Sequence, residues 1–359
     1  MADWLKRRLP GLTDLEVIGI HAAKGAGFSA ETFFLDLHYH DAGKAKTRSL
    51  VLRRQLVADG LFMNADLGVQ GSVMTALAKQ SRVRVPRVVG VESDPSILGA
   101  PFLVMDKVEG RMVPQTPNYN KSGWLKDLPP ARRFEVWRNA IEAMSEVHGV
   151  DRRNDFDCLA PGSRGEAGLT SYLDWVAQWL RWSLRGRSHP VAESVIEYLR
   201  RDQPKDSSVG VLWGDATPAN TLFGDDLSVR ALLDWEMAAL GPGEVDLGWW
   251  LYFDELFGAG MGVERLAGLP DRDDTIALYE SLAGRVVGDM HYYEVLANLR
   301  MTIITMRAVD RQVGFGRLKA TNDAWINNRN TASLARRMGF PETPVSADYR
   351  EFLALMLPS

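Results

Sequence analysis

The sequence predicts an α+β protein of two lobes, a small β-rich one first and a larger, mainly helical one after it. Three observations carry this. The first hundred residues read as strands and turns, a helical periodicity sets in at Ala131, and VLWGDATPANTLFGDDLSVRALLD, over 211–234, interrupts the helices with short strands. At 359 residues, 46% hydrophobic and 25% charged, the chain is long enough for two packed lobes and ordinary in composition. A formal net charge of -4 gives no electrostatic case for nucleic acid. No apolar run approaches the roughly 20 residues of a membrane helix, so no membrane partner is expected. Cys158 is the single cysteine, which excludes an internal disulfide and a Cys-rich metal site and suits a reducing cytoplasm.

The elements follow in order. MADWLKRRLPG is basic but lacks the apolar core of a signal peptide. HAAKGAGFSAETFFLDLHYHD, over 21–41, reads as a loop carrying Gly25, Gly27 and Ser29 that runs into a strand, and SLVLRRQ, over 49–55, as the next strand. Glycines and a serine in such a turn let backbone N–H groups approach phosphates closely. There is no G-K-[ST] ending, so a Walker P-loop is ruled out; taken alone, the segment is equally a glycine-rich turn with no ligand. Two apolar segments then flank a polar turn in 84–113. ARRFEVWRNAIEAMSEVHGV places Phe134, Trp137, Ile141, Met144 and Val147 at spacings of three and four, a core-facing stripe. His148 at its end is expected to cap or pack. SYLDWVAQWLRWSLRG is a tryptophan-rich amphipathic helix of core or interface character. The C-terminal TPVSADYREFLALMLPS is either a short docking helix or a dimer contact.

The segment 211–234 carries the chemistry. VLWG is a buried strand, ATPA a turn, and NTLF and VRALLD two strands joined by the turn at Gly224 to Asp226. Folding those strands together brings Asn220 near Asp234, with Asp215 just upstream. Mg2+ takes oxygen ligands and keeps several waters, so one carboxylate, one amide carbonyl and the oxygens of a nucleotide complete its shell. A second carboxylate can accept a hydroxyl proton as the phosphoryl group leaves ATP. Asn220 and Asp234 are therefore the expected metal ligands and Asp215 the expected base. The bland reading is turn chemistry, which these residue types also favour.

Asp215-x-x-x-x-Asn220 with Asp234 fourteen residues on has the catalytic-loop spacing of protein kinases. LWGDATPANTLF followed by ALLDWEMAALGPGEVDLGWW resembles the core of the aminoglycoside phosphotransferase and choline kinase-like family. The wording is most similar to the branch related to the kinase-like domains that accompany acyl-CoA dehydrogenases. The resemblance implies a protein-kinase-like fold, with residues 1–110 as the N-lobe carrying the glycine loop and hinge, and 111–359 as a helical C-lobe with the acceptor site. It implies ATP as cofactor beside Mg2+ and a small-molecule hydroxyl as acceptor. It puts Arg53 where relatives have a phosphate-pairing cation and Gln70 where the helix holding that cation has an acid; both depart from the family pattern. Arg54 should face the other side of a regular strand. PFLVMDKVEG resembles the hinge, with the Asp106 carbonyl and the Val108 N–H as the adenine contacts. Asp246 matches the acid that braces the catalytic loop, and Trp213, where many relatives have His, is expected to pack.

Acceptor identity stays open. Arg300, Arg307 and Arg311 lie at offsets of seven and four on one helix, over 289–313. If that face lines the cleft, an anionic acceptor such as a hydroxyacyl-CoA is favoured; otherwise it is a solvated face paired with Glu294 and Asp310. Aminoglycosides are the rival acceptors. A non-catalytic nucleotide-binding regulator of kinase fold is the alternative of another class, motivated by Arg53 and Gln70.

Overall fold

Strand alternation organises the first part of the chain. The computed structural model describes residues 1–23, 30–56, 60–63, 66–153, 155–159, 167–205 and 208–356. Five strands, β1 (Thr13–Ala22), β2 (Ala30–Asp41), β3 (Lys44–Gln55), β4 (Val88–Glu92) and β5 (Phe102–Asp106), form an antiparallel sheet in the order β1-β2-β3-β5-β4. Ala42 and Gly43 both take positive φ, 48° and 74°, between the paired Asp41 and Lys44. That two-residue turn has the twist a hairpin needs. On one face Leu35, Leu37, Leu50, Leu52, Phe102 and Val104 pack under α1 (Ala2–Arg8), which contributes Trp4 and Leu5. The intervening residues Val51, Arg53, Leu103 and Met105 face the other way and line a cleft, with α2 (Leu67–Gln80) beside them. Arg54 accordingly lies on the opposite face, bonded to Glu31 and the Leu98 carbonyl.

The remainder is mainly helical: α3 (Trp124–Asp127), α4 (Pro130–His148), α5 (Leu169–Leu184), α6 (Pro190–Arg201), α7 (Glu244–Phe257), α8 (Arg272–Ala283), α9 (Met290–Gly314), α10 (Arg329–Arg337) and α11 (Ala347–Met356). Two small sheets are set among them. β6 (Arg111–Met112), β8 (Thr221–Phe223) and β9 (Val229–Leu232) make one, and β7 (Gly210–Leu212) pairs with β10 (Ala239–Gly241) in the other. α9 is the central helix, buried through Leu296, Leu299, Ile303 and Met306. α7 crosses it closely at Gly248, where a Cβ would sit 2.7 Å from the Tyr293 carbonyl oxygen.

Phe134 does not join the predicted α4 stripe. It lies near the start of the helix and is 43% exposed, and burial starts at Val136 and Trp137 and continues through Ile141, Met144 and Val147. The C-terminal helix α11 buries Tyr349 and Phe352 against the main core, so it docks on its own chain. Among the described residues no helix is long and apolar enough to cross a membrane.

Candidate functional site

The site begins with a turn that only glycine can make. Gly214 has φ +89°, and a Cβ there would overlap the Met237 carbonyl. The flanking N–H groups are claimed by Asp246, fully buried on the first turn of α7: Oδ2 accepts from Trp213 N at 2.7 Å and Oδ1 from Gly214 N at 2.9 Å. His148 Nε2 lies 3.0 Å from the same carboxylate, and its Nδ1 meets Tyr279 Oη at 2.7 Å. Trp213 packs as expected, buried completely, and donates its indole N–H to the Leu233 carbonyl.

The turn projects Asp215. Its Oδ2 accepts from Asn220 Nδ2 at 2.7 Å and its Oδ1 from Trp249 Nε1 at 2.7 Å. Burial, then the charge of Asp234, pushes the Asp215 carboxyl up to about 6, against the bonds from Trp249 and Asn220 and the charge of Arg300. Asn220 closes the 3-10 turn Pro218–Asn220, just before β8. Its backbone carbonyl accepts from Leu233 N at 2.8 Å, so the hairpin sets Asn220 opposite Asp234. Asp234 itself sits at φ +57°, an uncommon conformation for a residue with a side chain.

Arg53 reaches across from β3. Its Nη1 donates to Asp234 Oδ1 at 2.9 Å and to Gln70 Oε1 at 3.3 Å, and Nη2 is 3.9 Å from Glu236. Burial opposes the guanidinium charge, but Asp234 and Glu236 outweigh it and hold the Arg53 pKa above its ordinary value. Arg53, Gln70, Asn220 and Asp234 all line one cavity of about 460 Å³, whose apolar wall includes Val51, Leu103, Met105 and Leu222. Asp106 and Val108 lie along its edge, and the Asp106 carboxylate is fixed by Arg48 and Arg87. Gly25, Gly27 and Ser29 lie outside the described residues. A second cavity, about 320 Å³, shares Gln70 and Trp235 with the first; Phe62, Leu159, Tyr172, Trp175 and Met237 line it, with Asp66 and Glu236 as its acids.

Two of the three α9 arginines part company with both sequence readings, while Arg311 stays half-buried. Arg300 and Arg307 are buried, neither solvated nor on a cleft wall: Arg300 donates to the Gly214 carbonyl and lies 4.1 Å over Trp249, and Arg307 donates to the Gly60 carbonyl and lies 4.0 Å over Trp182. Of the two expected partners, Asp310 does meet Arg307 Nη1, at 3.9 Å, and is held more closely by Arg187, whereas Glu294 pairs with Arg272 and Arg337. A seven-residue offset marks one helix face; it does not say what covers that face. Trp249 was not singled out in the sequence, although its place three residues after Asp246 on one helix was a signal for it.

Among the described residues no three His, Cys, Asp or Glu gather into a metal cage. Asn220 spends its amide N–H on Asp215, which turns its carbonyl oxygen, with the Asp234 carboxylate, into a hard-oxygen pair of the kind Mg2+ takes together with a ligand's own oxygens.

A small antiparallel lobe joined to a helical one, with such a cleft, defines a kinase-like fold, and solved structures agree. A Ralstonia eutropha protein provisionally named an aminoglycoside phosphotransferase superposes with TM-score 0.65 at 21% identity, over 98% of this chain and 97% of that one. The macrolide 2'-phosphotransferase of Brachybacterium faecium gives 0.53 at 17% identity over 95% and 98%. A thermostable mutant of an aminoglycoside phosphotransferase, solved with ADP and hygromycin B, gives 0.53 at 14% identity over 94% and 98%. The chain belongs to the phosphotransferase enzyme family, whose profile matches residues 25–285. Among curated proteins it is similar to a probable acyl-CoA dehydrogenase of Arabidopsis thaliana, 25% identical over 229 residues, and to acyl-CoA dehydrogenase family member 10 of Mus musculus, 27% over 202 residues. These matches cover 60% and 56% of the chain but only 26% and 18% of those relatives' length.

Proposed function

We infer that this phosphotransferase is an ATP- and Mg2+-dependent kinase acting on the hydroxyl of a small molecule, with Asp215 as the base. The observation that carries the reading is that Asn220 and Asp234 line the 460 Å³ cavity together, with Asp215 bonded directly to Asn220 behind it and Arg53 on Asp234. Residues 1–110 and 111–359 are its two lobes. Adenine lies against Val51 and Met105 and bonds the Asp106 carbonyl and the Val108 N–H; Arg53, with Gly25, Gly27 and Ser29, holds the phosphates. Mg2+, on Asn220 and Asp234, would offset the charge of the transferring phosphoryl group. Asp215, with both oxygens anchored, keeps lone pairs for the acceptor hydroxyl, orients it and takes its proton.

The second cavity adjoins this centre and takes the body of the acceptor. Its walls are aromatic and apolar, which suits a hydroxyacyl group such as that of a hydroxyacyl-CoA, and its two acids are already engaged, Glu236 within 3.9 Å of Arg53 and Asp66 capping α2, so a polycationic sugar finds little unclaimed negative charge there. The similarity to proteins named as acyl-CoA dehydrogenases supports the same class. ATP consumption with Mg2+ tests the reading across aminoglycosides, choline-like alcohols and short 3- and 4-hydroxyacyl-CoA thioesters. Acceptor-dependent turnover that Asp215→Asn abolishes while nucleotide binding persists is expected. Binding of ATP with no turnover on any acceptor would favour the regulatory alternative.

A further inference from the structure

Arg300 raises a question of charge. Its guanidinium is fully buried on α9 and joins no ion pair among the described residues; Nε and Nη1 have no hydrogen-bond partner there either. Burying a cation in this way is costly unless something compensates it. What faces it is the ring of Trp249, 4.1 Å from the guanidinium carbon to the ring centroid, with Tyr172 further off at 6.0 Å. The indole then presents its N–H edge to Asp215 Oδ1 at 2.7 Å. Cation, electron-rich ring face, N–H and carboxylate stand in series, each arranged to polarise the next favourably. Arg300 Nη2 also donates to the carbonyl of Gly214, the residue before Asp215.

The geometry points to Trp249 and Arg300 as positioning residues for the proposed base: Trp249 fixes the Asp215 carboxylate, and Arg300 fixes Trp249 and the backbone that carries Asp215. The inference rests on the reading of Asp215 as the base. Trp249 is 1% exposed and sits one turn after Asp246 on α7, so a single rigid helix holds the loop's backbone through one side chain and its carboxylate through the other. Asn220 holds Oδ2, which leaves the rotation of the carboxylate determined from both sides. A base whose oxygens are aimed before the acceptor arrives loses nothing to reorganisation during the transfer.

Trp249→Phe keeps a ring under Arg300 and removes the N–H. Supporting groups one step removed from chemistry typically account for about ten- to hundred-fold in activity, so kcat should fall by that factor while nucleotide Kd stays near wild type; the smaller ring and the unpartnered Asp215 oxygen lower the unfolding midpoint without abolishing the folded state. A second measurement does not depend on that variant folding well: the 15N-indole resonance of Trp249, recognised in wild-type protein as the one displaced by Asp215→Asn, should move toward that of a weaker hydrogen bond. Wild-type kcat in Trp249→Phe, a parallel loss of kcat, nucleotide binding and stability, or indole resonances indifferent to Asp215→Asn would each overturn the inference. If Asp215→Asn stays inactive in those cases, the base reading stands without it. Turnover surviving Asp215→Asn would overturn both.

Discussion

Removing the Asp246 side chain should be among the most damaging changes available outside the cleft. The carboxylate is fully buried and accepts three bonds, from Trp213 N, Gly214 N and His148 Nε2. In Asp246→Ala the two backbone N–H groups remain buried with nothing to bond. Leaving a buried donor unsatisfied costs about 1–3 kcal/mol each, and with the His148 contact the sum is about 3–5 kcal/mol, a third or more of a typical domain's stability. Asp246→Asn keeps one acceptor oxygen but turns an NH2 toward the second donor, so it should lose roughly half as much. Urea unfolding of the ligand-free protein, followed by tryptophan fluorescence and circular dichroism, reads both. Turnover should fall in step, because Asp215 is carried by the loop these bonds hold. A loss below about 1 kcal/mol in Asp246→Ala would refute the reasoning, since it would mean that water or a neighbour satisfies those N–H groups at no cost.

Two further outcomes follow from buried polar groups. His189 caps α6 by accepting from Ala192 N through Nδ1, and burial pushes its pKa down to about 4 from 6.5. The native state therefore binds that proton less readily than the unfolded chain, so stability present above pH 6.5 is lost as pH falls toward 4, by about 2 kcal/mol at pH 5. His189→Asn keeps a capping oxygen and should flatten this part of the pH dependence of the urea midpoint; an unchanged slope would count against it. Gln70→Glu gives Arg53 an acid on α2 to share with Asp234. Mn2+ affinity of the nucleotide-free protein, read by electron paramagnetic resonance, should rise on the order of fivefold, the scale of a charge interaction near 1 kcal/mol, and no change would show that the pair with Arg53 does not compete with metal.

The two-lobe α+β arrangement was legible because it rests on local signals. The alternation in SLVLRRQ put Arg53 and Arg54 on opposite faces, and the strand-turn-strand wording of 211–234 set Asn220 against Asp234. What could not be read was the covering of helix faces. Arg300 and Arg307 have the spacing of a solvated or ligand-facing stripe, yet both are buried by contacts with residues distant in sequence, and Phe134 has the spacing of the core but lies near the start of α4, ahead of where burial begins. Periodicity identifies a face, and only tertiary packing decides whether that face meets solvent, ligand or protein. The bond from Trp249 to Asp215 was hidden for the same reason: it joins residues 34 apart, and its geometry depends on how α7 docks.

The departures at Arg53 and Gln70 take on meaning once their partners are known. An acid on α2 would hold the strand cation within the small lobe; a neutral glutamine bonds Arg53 at 3.3 Å but leaves its charge to be balanced elsewhere. Asp234 supplies that balance at 2.9 Å from the far side of the cleft, 181 residues along the chain, with Glu236 behind it. In the proposed kinase, the group that would hold the metal and the group that would hold the phosphates therefore neutralise each other across the cavity. Nucleotide phosphates and a divalent cation arriving together can replace that pair with two interactions of the same sign pattern, Arg53 to phosphate and Asp234 to metal, whereas either alone leaves a buried charge without its counterpart. Binding of the two should accordingly be mutually reinforcing by construction, and a glutamine at position 70 is the residue type that produces this coupling while still orienting the guanidinium.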